Sequence, residues 1–361
     1  MNDKQITKIK INGFKSIQEC SIDLDMVNIL IGSNGSGKTN FISLFRMLQA
    51  LIDGELQAHI SKYGGPNAFL FFGSKKTECM SAEFYFGENG YQFTLTPTAD
   101  NRMMFEKESF YWVECGSKPV GSGHFESKWE EGCGYRIDKF VKPILQNQKW
   151  RVYHFHDTSD TALVKQMHGI NDNIDFATDA RNLAAFLYRL KTAEENSYNQ
   201  IVRTIQLVAP YFEDFILRPN PLKPDSIRLE WKDKNSEAPF IAAQLSDGTL
   251  RFICLATLLL QPANLMPETI LIDEPELGLH PYAISLLASL IKKASVEKQI
   301  IVSTQSVELL NEFEAKDIIV VNHKENKSVF SRLNYEQLKV WLDEDYTLGE
   351  LWKRNVFGGR P

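Results

Sequence analysis

Apolar and polar residues alternate in short segments near the start of the chain. This alternation predicts two strands within residues 6–24, joined by a turn that contains Gly13. The compact apolar run at residues 26–32 is typical of a buried strand. Across residues 40–56 the apolar positions recur at helical spacing. The sequence therefore predicts a buried strand, a turn rich in glycine and serine, and a helix in direct succession.

The rest of the chain changes its periodicity twice. Residues 69–140 are aromatic and alternating, which predicts an antiparallel meander with a turn at Asn89 and Gly90 and a polar loop at residues 116–134. Helical spacing follows at residues 179–209 and ends at Pro210. Apolar strands and helices alternate across residues 245–321, which favours an α/β fold class.

Composition and charge narrow the classes of protein. The chain has 361 residues, of which 43% are hydrophobic and 24% charged, as in folded globular proteins. The formal net charge of −6 excludes a cationic field over the whole surface, and local basic patches stay open. No signal-peptide core is visible, and the longest mostly apolar run, residues 252–260, is too short to span a bilayer. We therefore expect a cytoplasmic protein with no membrane partner. Five cysteines without C-x-x-C spacing indicate neither a disulfide framework nor a zinc site.

Residues 32–39, the P-loop, have the sequence GSNGSGKT and fit the pattern G-x-x-x-x-G-K-[ST]. The pattern follows the predicted buried strand and precedes the predicted helix, where backbone amides and a helix N-terminus can surround phosphate oxygens. We therefore predict an ATP site in which Lys38 reaches the β and γ phosphates and Thr39 binds Mg²⁺. The residues predicted to contact the nucleotide are Ser33, Asn34, Gly35, Ser36, Gly37, Lys38, Thr39 and Asn40.

Two adjacent carboxylates end the apolar run at residues 269–272. Asp273 is predicted to bind Mg²⁺, usually through water, and Glu274 to orient or deprotonate the attacking water. The alternative is a capped turn, because Asp-Glu-Pro begins many helices. Beside a P-loop, the metal and base roles are the better interpretation.

A third motif, Leu-Ser-Asp-Gly-Thr at residues 245–249, precedes a helical run and lies 27 residues before Asp273. In this order the motifs resemble the ABC-type ATPase superfamily, whose Leu-Ser-x-Gly signature occupies this place. The resemblance implies two subunits stacked head to tail, in which Ser246 and Gly248 meet the γ-phosphate of the partner subunit. It also implies an α/β ATPase head in which N- and C-terminal segments form one nucleotide-binding core.

The insertion between P-loop and signature is expected to hold a β-rich arm and a helical lid. The predicted organisation is a nucleotide-binding lobe with the P-loop at residues 1–68, the arm at 69–150, the lid at 151–235, and a second ATPase lobe at 236–361.

The motifs INGFKSI, IGSNGSGKTNF, LSDGTLRF, IDEPELGLHP, STQS and LGELWKRNVFGGRP resemble the predicted ATPases grouped with RecF and OLD-type proteins. This resemblance implies an ATP-dependent homodimeric switch that regulates a separate effector, a nuclease or toxin, in anti-phage defence. About 55 residues follow Ser306, too few for the nuclease domain that OLD-type proteins append, so the effector is expected on another polypeptide.

Two functions other than a defence switch are open to a chain with these motifs. The favoured alternative is a RecF-like ATP-dependent DNA-binding protein in repair or recombination. A transporter ATPase is disfavoured, because Asp247 replaces a signature glycine, the insertion is long, and Gln305 replaces the switch histidine. Gln305 is predicted to bond the γ-phosphate or the attacking water without carrying positive charge.

Several residues keep more than one interpretation. His280 falls at the D-loop, which the superfamily places between its two subunits, or is an exposed helix cap. His154 and His156 share one strand face and are structural residues, phosphate or water contacts, or, less favoured, metal ligands. Lys15 contacts the nucleotide or is a loop lysine, and Arg251 contacts the partner subunit or supports its own helix. The glutamine of the superfamily's Q-loop has no clear counterpart here, unless it is Gln146 or Gln148.

Overall fold

Strands and helices of this computed structural model follow most of the predicted periodicities. The structure describes residues 5–114, 116–132, 134, 137–146, 150–344 and 346–359. The strands are β1 Lys8–Phe14, β2 Ile17–Asp23, β3 Val27–Ile31, β4 Met80–Phe86, β5 Asn89–Pro97, β6 Met103–Trp112, β7 Gly116–Gly121, β8 Trp150–Tyr153, β9 His168–Gly169, β10 Phe212–Ile216, β11 Ser226–Ile227, β12 Glu230–Asp233, β13 Phe240–Ile241, β14 Thr269–Asp273, β15 Gln299–Thr304, β16 Ile318–Lys324 and β17 Lys327–Arg332. The helices are α1 Lys38–Ile52, α2 Leu56–Lys62, α3 Lys142–Gln146, α4 Leu183–Ala193, α5 Glu195–Val208, α6 Asp247–Leu260, α7 Pro281–Ala294, α8 Val307–Leu310, α9 Tyr335–Leu342 and α10 Leu348–Lys353.

The chain divides into two units, the first formed by residues 1–151 and 314–361 and the second by residues 152–313. The first unit holds an antiparallel sheet with the order β2-β1-β4-β5-β6-β7. Side chains of β4 alternate between buried and half-buried, as a sheet with one face on a core requires. This sheet contains the antiparallel meander that the aromatic alternation predicts.

The predicted turn at Asn89 and Gly90 is wrong by two residues. Phe86 pairs with Asn89, so the hairpin turn consists of Gly87 and Glu88, and Gly87 has a φ of 60°. A glycine adopts this left-handed conformation without steric cost, so it competes successfully with the Asn-Gly pair. The predicted polar loop at residues 116–134 is wrong at its start, because β7 pairs with β6 there.

A second group of strands in the first unit leads into the P-loop. β3 is parallel to β16, and β16 is antiparallel to β17. α1 follows the loop after β3 and buries Phe41 and Phe45 completely. The Phe41 ring lies 5.4 Å from that of Phe330 on β17, and the Phe45 ring 6.0 Å from that of Phe84 on β4. Each buried ring contributes roughly 1.5–3 kcal/mol, so aromatic packing fixes the helix on which the P-loop ends.

The second unit is built around α6 and a parallel strand pair. α6 is buried on nearly every side from Leu250 to Leu260, which is the pattern of a central helix, and it packs against α5 and α7. β14 and β15 are parallel, with Asp273 opposite Ser303. A small antiparallel sheet has the order β10-β12-β13. Both strands β14 and β15 are buried, so only their ends can carry exposed chemistry.

Candidate functional site

The P-loop of the first unit connects β3 to α1. Gly37 precedes α1 with a φ of 114°, and a Cβ atom there would lie 2.1 Å from the Ser328 hydroxyl oxygen. Lys38 is 5% exposed, and its ammonium donates to the carbonyl oxygens of Gly32 at 2.6 Å and Ser33 at 3.0 Å. These bonds hold the ammonium over the loop. The hydroxyl of Ser36 is buried and has no hydrogen-bond partner among the described residues.

The other predicted contact residues lie at the loop surface. Thr39, Asn34 and Gly35 are exposed, and Ser33 and Asn40 are half-buried. In the first turn of a helix the backbone amides have no acceptor within the helix, so those of Thr39 and Asn40 are free to bind an anion. The P-loop residues therefore lie together, as their spacing predicts.

A chain of hydrogen bonds clamps the P-loop against β17 and the turn between β1 and β2. Asn40 donates its side-chain amide to the hydroxyl of Ser16 at 2.7 Å. The hydroxyls of Ser16 and Ser328 share a bond of 2.7 Å, and Ser328 donates to the carbonyl oxygen of Ser36 at 2.6 Å. Sequence reasoning missed both serines. Ser16 stands inside the INGFKSI motif, a signal that was available, whereas Ser328 belongs to no motif.

Two basic residues near the start of the chain, Lys8 and Lys10, are paired with carboxylates. Lys8 lies 3.2 Å from Asp23, and Lys10 lies 3.2 Å from Glu83, so both ammonium groups have acidic partners. Lys4 lies outside the described residues. The charges of Lys8 and Lys10 are therefore balanced locally and give the DNA-binding alternative no support.

Lys15 lies beside a cleft next to α1. Its ammonium is 5.3 Å from the centre of the Phe69 ring, and burial together with the charge of Arg46 lowers the pKa of Lys15. The cleft has a volume of about 940 Å³ and is open to solvent on one side. Its wall includes Lys15, Ser16, Asn40, Tyr63, Phe72 and His323. The volume lies in the range of small-molecule pockets, roughly 300–1,000 Å³.

In the second unit, Asp273 ends β14 and is 6% exposed. The hydroxyl of Ser303 on β15 donates to its carboxylate. The Nε2 atom of His156 lies 2.8 Å from the Asp273 backbone carbonyl oxygen and must carry the proton to donate there. The carboxylate is thus oriented by its parallel neighbour strand.

Glu274 and Gln305 meet directly. Glu274 has a φ of 43°, a left-handed conformation that costs about 1–3 kcal/mol for a residue with a side chain. Its backbone amide donates to the carbonyl oxygen of Ser303 at 2.9 Å, which holds this conformation. The side-chain amide of Gln305 donates to the Glu274 carboxylate. The structure therefore brings together the two residues that the sequence predicts to act on the attacking water.

The signature residues begin α6. Ser246 is exposed, precedes the helix and accepts a hydrogen bond from the Thr249 amide at 3.2 Å. A Cβ atom at Gly248 would lie 2.3 Å from the carbonyl oxygen of Gly278, in the loop after Glu274. The signature turn and this loop are therefore in direct backbone contact, and only glycine fits at position 248.

Arg251 ties three segments of the second unit together. It donates to the carbonyl oxygens of Phe155 at 3.1 Å, His156 at 2.9 Å and Leu277 at 2.5 Å. The guanidinium thus supports the loops beside its own helix. His280 is exposed and caps α7 through Nδ1, which accepts from the amide of Tyr282 at 3.4 Å.

The histidine pair follows β8. The rings of His154 and His156 lie 4.0 Å apart, as their two-residue spacing predicts. Among the residues that the structure describes, no group of three or more His, Cys, Asp or Glu side chains can hold a metal ion. Gln148 and the side chain of Gln146 fall outside the described part of the chain. In that same part, no helix is long and apolar enough to cross a membrane.

Comparison with solved structures identifies the fold. The fold is the mixed α/β fold of Smc head domains. The Smc head bound to the C-winged helix domain of ScpA is 18% identical, with a TM-score of 0.62, and the match covers 93% of this chain and 99% of that one. A Smc head with an extended coiled coil bound to the C-terminal domain of ScpA, from Pyrococcus furiosus, is 16% identical over 94% and 99%, with a TM-score of 0.58. A Smc head with a coiled coil and joint from Pyrococcus yayanosii is 15% identical over 94% and 99%, with a TM-score of 0.54.

Matches to family profiles assign the chain to a protein family. The profile described as "AAA domain, putative AbiEii toxin, Type IV TA system" matches residues 130–311, half of the chain, and the chain belongs to this family. A profile described as "AAA ATPase domain" matches residues 5–83, which include the P-loop. No curated protein matches the sequence. These families indicate ATP hydrolysis and confirm the predicted class of P-loop ATPase.

The close approach at Gly248 yields a stability prediction. Gly248→Ala places a methyl group against the backbone carbonyl group of Gly278. Because a backbone group cannot move aside as a flexible side chain can, the loop or the helix must shift. We expect the free energy of unfolding to fall by about 1–3 kcal/mol. Thermal unfolding followed by circular dichroism measures this. Asp247→Ala is the control, since it loses only a helix-terminal charge worth less than about 1 kcal/mol. Equal midpoints for the two variants would contradict the contact.

Proposed function

We propose that the protein is an ATP-binding and ATP-hydrolysing homodimeric switch of the RecF/OLD-like ABC ATPase type. The observation that carries this proposal is the placement of Glu274 and Gln305 at the ends of adjacent parallel strands, hydrogen-bonded to each other. A P-loop alone supports nucleotide binding. A carboxylate paired with an amide adds the groups that hold and deprotonate an attacking water.

The first unit supplies the nucleotide site. Backbone amides of the P-loop and of the α1 N-terminus are proposed to bind the phosphates, and the ammonium of Lys38 is proposed to bind the β and γ oxygens. The positive φ of Gly37 and the unpartnered hydroxyl of Ser36 fit such a cradle. The cleft beside Asn40 and Lys15 has the volume to take the base and ribose.

As their motifs predict, the hydroxyl of Thr39 and the carboxylate of Asp273 are each proposed as an oxygen ligand of Mg²⁺. Both are the hard oxygen ligands that Mg²⁺ requires, and Ser303 keeps the Asp273 carboxylate oriented. Mg²⁺ held by these oxygens would supply positive charge to offset the charge that develops on the transferred phosphoryl group.

Hydrolysis depends on Glu274 and Gln305. The Glu274 carboxylate takes a proton from the attacking water, while the Gln305 amide donates to the water or to a γ-phosphate oxygen. Because glutamine carries no charge, Gln305 acts by orientation and hydrogen bonding alone.

The signature is proposed to act on the partner subunit. Ser246 and the α6 N-terminus are exposed, so they can face the γ-phosphate bound by the P-loop of a second copy. ATP then closes the homodimer and hydrolysis reopens it. Through the contact of Gly248 with Gly278, closure is transmitted to the loop that follows Glu274.

The proposed biological role is regulation of a separate effector, a nuclease or toxin, in bacterial anti-phage defence. The RecF/OLD-like motifs support this role, and the family description names a toxin of a toxin–antitoxin system. Pairing of Lys8 and Lys10 with carboxylates favours this role over direct DNA binding as a RecF-like protein.

Glu274→Gln should trap the closed state. The amide keeps the shape of the side chain but cannot accept a proton, so hydrolysis should slow by roughly 10²-fold or more while ATP binding persists. Light scattering with Mg²⁺-ATP should then give twice the single-chain mass of 41.3 kDa. Lys38→Ala, which removes the phosphate-binding ammonium, should neither bind ATP nor dimerise.

The same measurement with short duplex DNA separates the two roles. A dimer on ATP alone that co-purifies with an effector protein supports the defence switch. A dimer that needs DNA and binds no protein supports the RecF-like alternative. Parental ATP turnover by Glu274→Gln would remove Glu274 from its role.

Ser246→Arg should block closure, because an arginine at the α6 N-terminus occupies the place of the partner's phosphate. The variant should bind ATP with an unchanged Kd but remain monomeric in the Glu274→Gln background. Thr347→Arg is the matched control, since Thr347 is also an exposed helix cap but lies on α10. Dimerisation of both variants would exclude the signature from the interface.

Ser328→Ala tests the clamp on the P-loop. It removes the hydroxyl that bonds Ser36 and Ser16, which is worth about 0.5–1.5 kcal/mol, and ATP affinity should fall by roughly three- to tenfold. Titration with a fluorescent ATP analogue measures the Kd. Ser331→Ala, an exposed serine on the same strand, is the control and should bind as the parent does. Identical affinities for both would show that the clamp does not shape the site.

A further inference from the structure

One carboxylate beside the proposed catalytic pair has no part in the steps above. Glu276 follows Glu274 by two residues and is 8% exposed. Its Oε1 atom accepts hydrogen bonds from the Thr304 hydroxyl at 2.5 Å and from the Gln305 backbone amide at 3.1 Å. Its Oε2 atom is buried and has no hydrogen-bond partner among the described residues. Burying a carboxylate of which only one oxygen accepts hydrogen bonds is unfavourable for stability. The two hydrogen bonds of Oε1 must therefore offset this cost or serve a purpose other than stability.

These two bonds fix the segment that carries Gln305. Thr304, held by Glu276, accepts in turn from the backbone amide of Ser306 at 2.9 Å. Three consecutive residues, 304 to 306, thus depend directly or indirectly on one carboxylate oxygen. β15 ends at Thr304, so Gln305 has no ladder partner that would otherwise fix its backbone.

We propose that Glu276 is a positioning residue that fixes the backbone of Gln305, so that the Gln305 side chain stays on Glu274. This inference rests on the proposed ATPase function and assigns Glu276 no contact with the nucleotide. A side-chain amide can reach its partner only if its own backbone is held, and a displacement of about 1 Å at a catalytic group can cost roughly 10²-fold in rate.

The acceptor atom, not the charge, carries this role. Burial raises the pKa of Glu276, and the neighbouring charge of Glu274 acts in the same direction, while the bonds from Thr304 and Gln305 oppose it. Oε1 can accept both bonds with a proton on Oε2 or without one. A glutamine at this position therefore keeps the acceptor, whereas an alanine removes it.

The test is a double-mutant cycle between positions 276 and 305, measured as steady-state Mg²⁺-ATP turnover. Glu276→Ala and Gln305→Ala should each lower kcat by about tenfold or more, with KM within about twofold of the parent. The double variant should be no slower than Gln305→Ala, because Glu276 acts through Gln305. Glu276→Gln should restore most of the turnover lost in Glu276→Ala.

Three results would overturn the inference. They are an unchanged kcat in Glu276→Ala, a double variant whose losses multiply, and a Glu276→Gln variant as slow as Glu276→Ala. Multiplying losses are the result that a merely structural role predicts. If Glu276→Ala loses its cooperative thermal transition, Glu276→Asp replaces it in the cycle, since the shorter side chain withdraws the acceptor.

Two controls separate this inference from the proposed function. Glu268→Ala removes a poorly exposed carboxylate at the other end of β14, paired with Lys298 at 3.1 Å, and should leave kcat unchanged. If the parent and Lys38→Ala turn over ATP equally, the proposed ATPase fails. If Gln305→Ala is impaired and Glu276→Ala is not, only the role of Glu276 fails.

Discussion

The parallel pairing of β14 with β15 is the constraint on which the second unit's chemistry depends. Its register places Asp273 opposite Ser303, so the strands end side by side. Glu274 directly follows β14 and Gln305 directly follows β15, so this alignment also brings these two residues together. A slip of one residue would turn every side chain to the other face of the sheet and separate the carboxylates from their donors.

The P-loop depends on a different constraint, which is close backbone approach. The loop passes so near to Ser328 that position 37 has no space for a side chain, and hydroxyl groups supply its lateral support. Aromatic packing of α1 fixes one end of the loop, and the pairing of β3 with β16 fixes the other. Rigid ends with a compact loop between them are what a preorganised phosphate site needs.

Local spacing predicts the parts of the site that are continuous in sequence. The P-loop, the carboxylates Asp273 and Glu274, and the cap at Ser246 were all predicted because each motif includes its own strand or helix. Ser328 was missed because its bond to Ser36 joins residues 292 positions apart. Arg251 was only partly predicted, since carbonyl oxygens as acceptors leave no sequence signal. The meander was predicted, but its turn was misplaced because two glycine-containing turns compete within four residues.

Neutral donors serve the carboxylates at the ends of β14 and β15. Asp273 receives a serine hydroxyl, Glu274 a glutamine amide and Glu276 a threonine hydroxyl. A switch histidine opposite Glu274 would titrate near neutral pH, so its hydrogen bond and its charge would change together. Gln305 does not titrate, and its contact with Glu274 is therefore a matter of geometry alone. Geometry must then be maintained by the backbone at the end of β15, and this explains why a buried carboxylate such as Glu276 can be useful there despite its cost to stability.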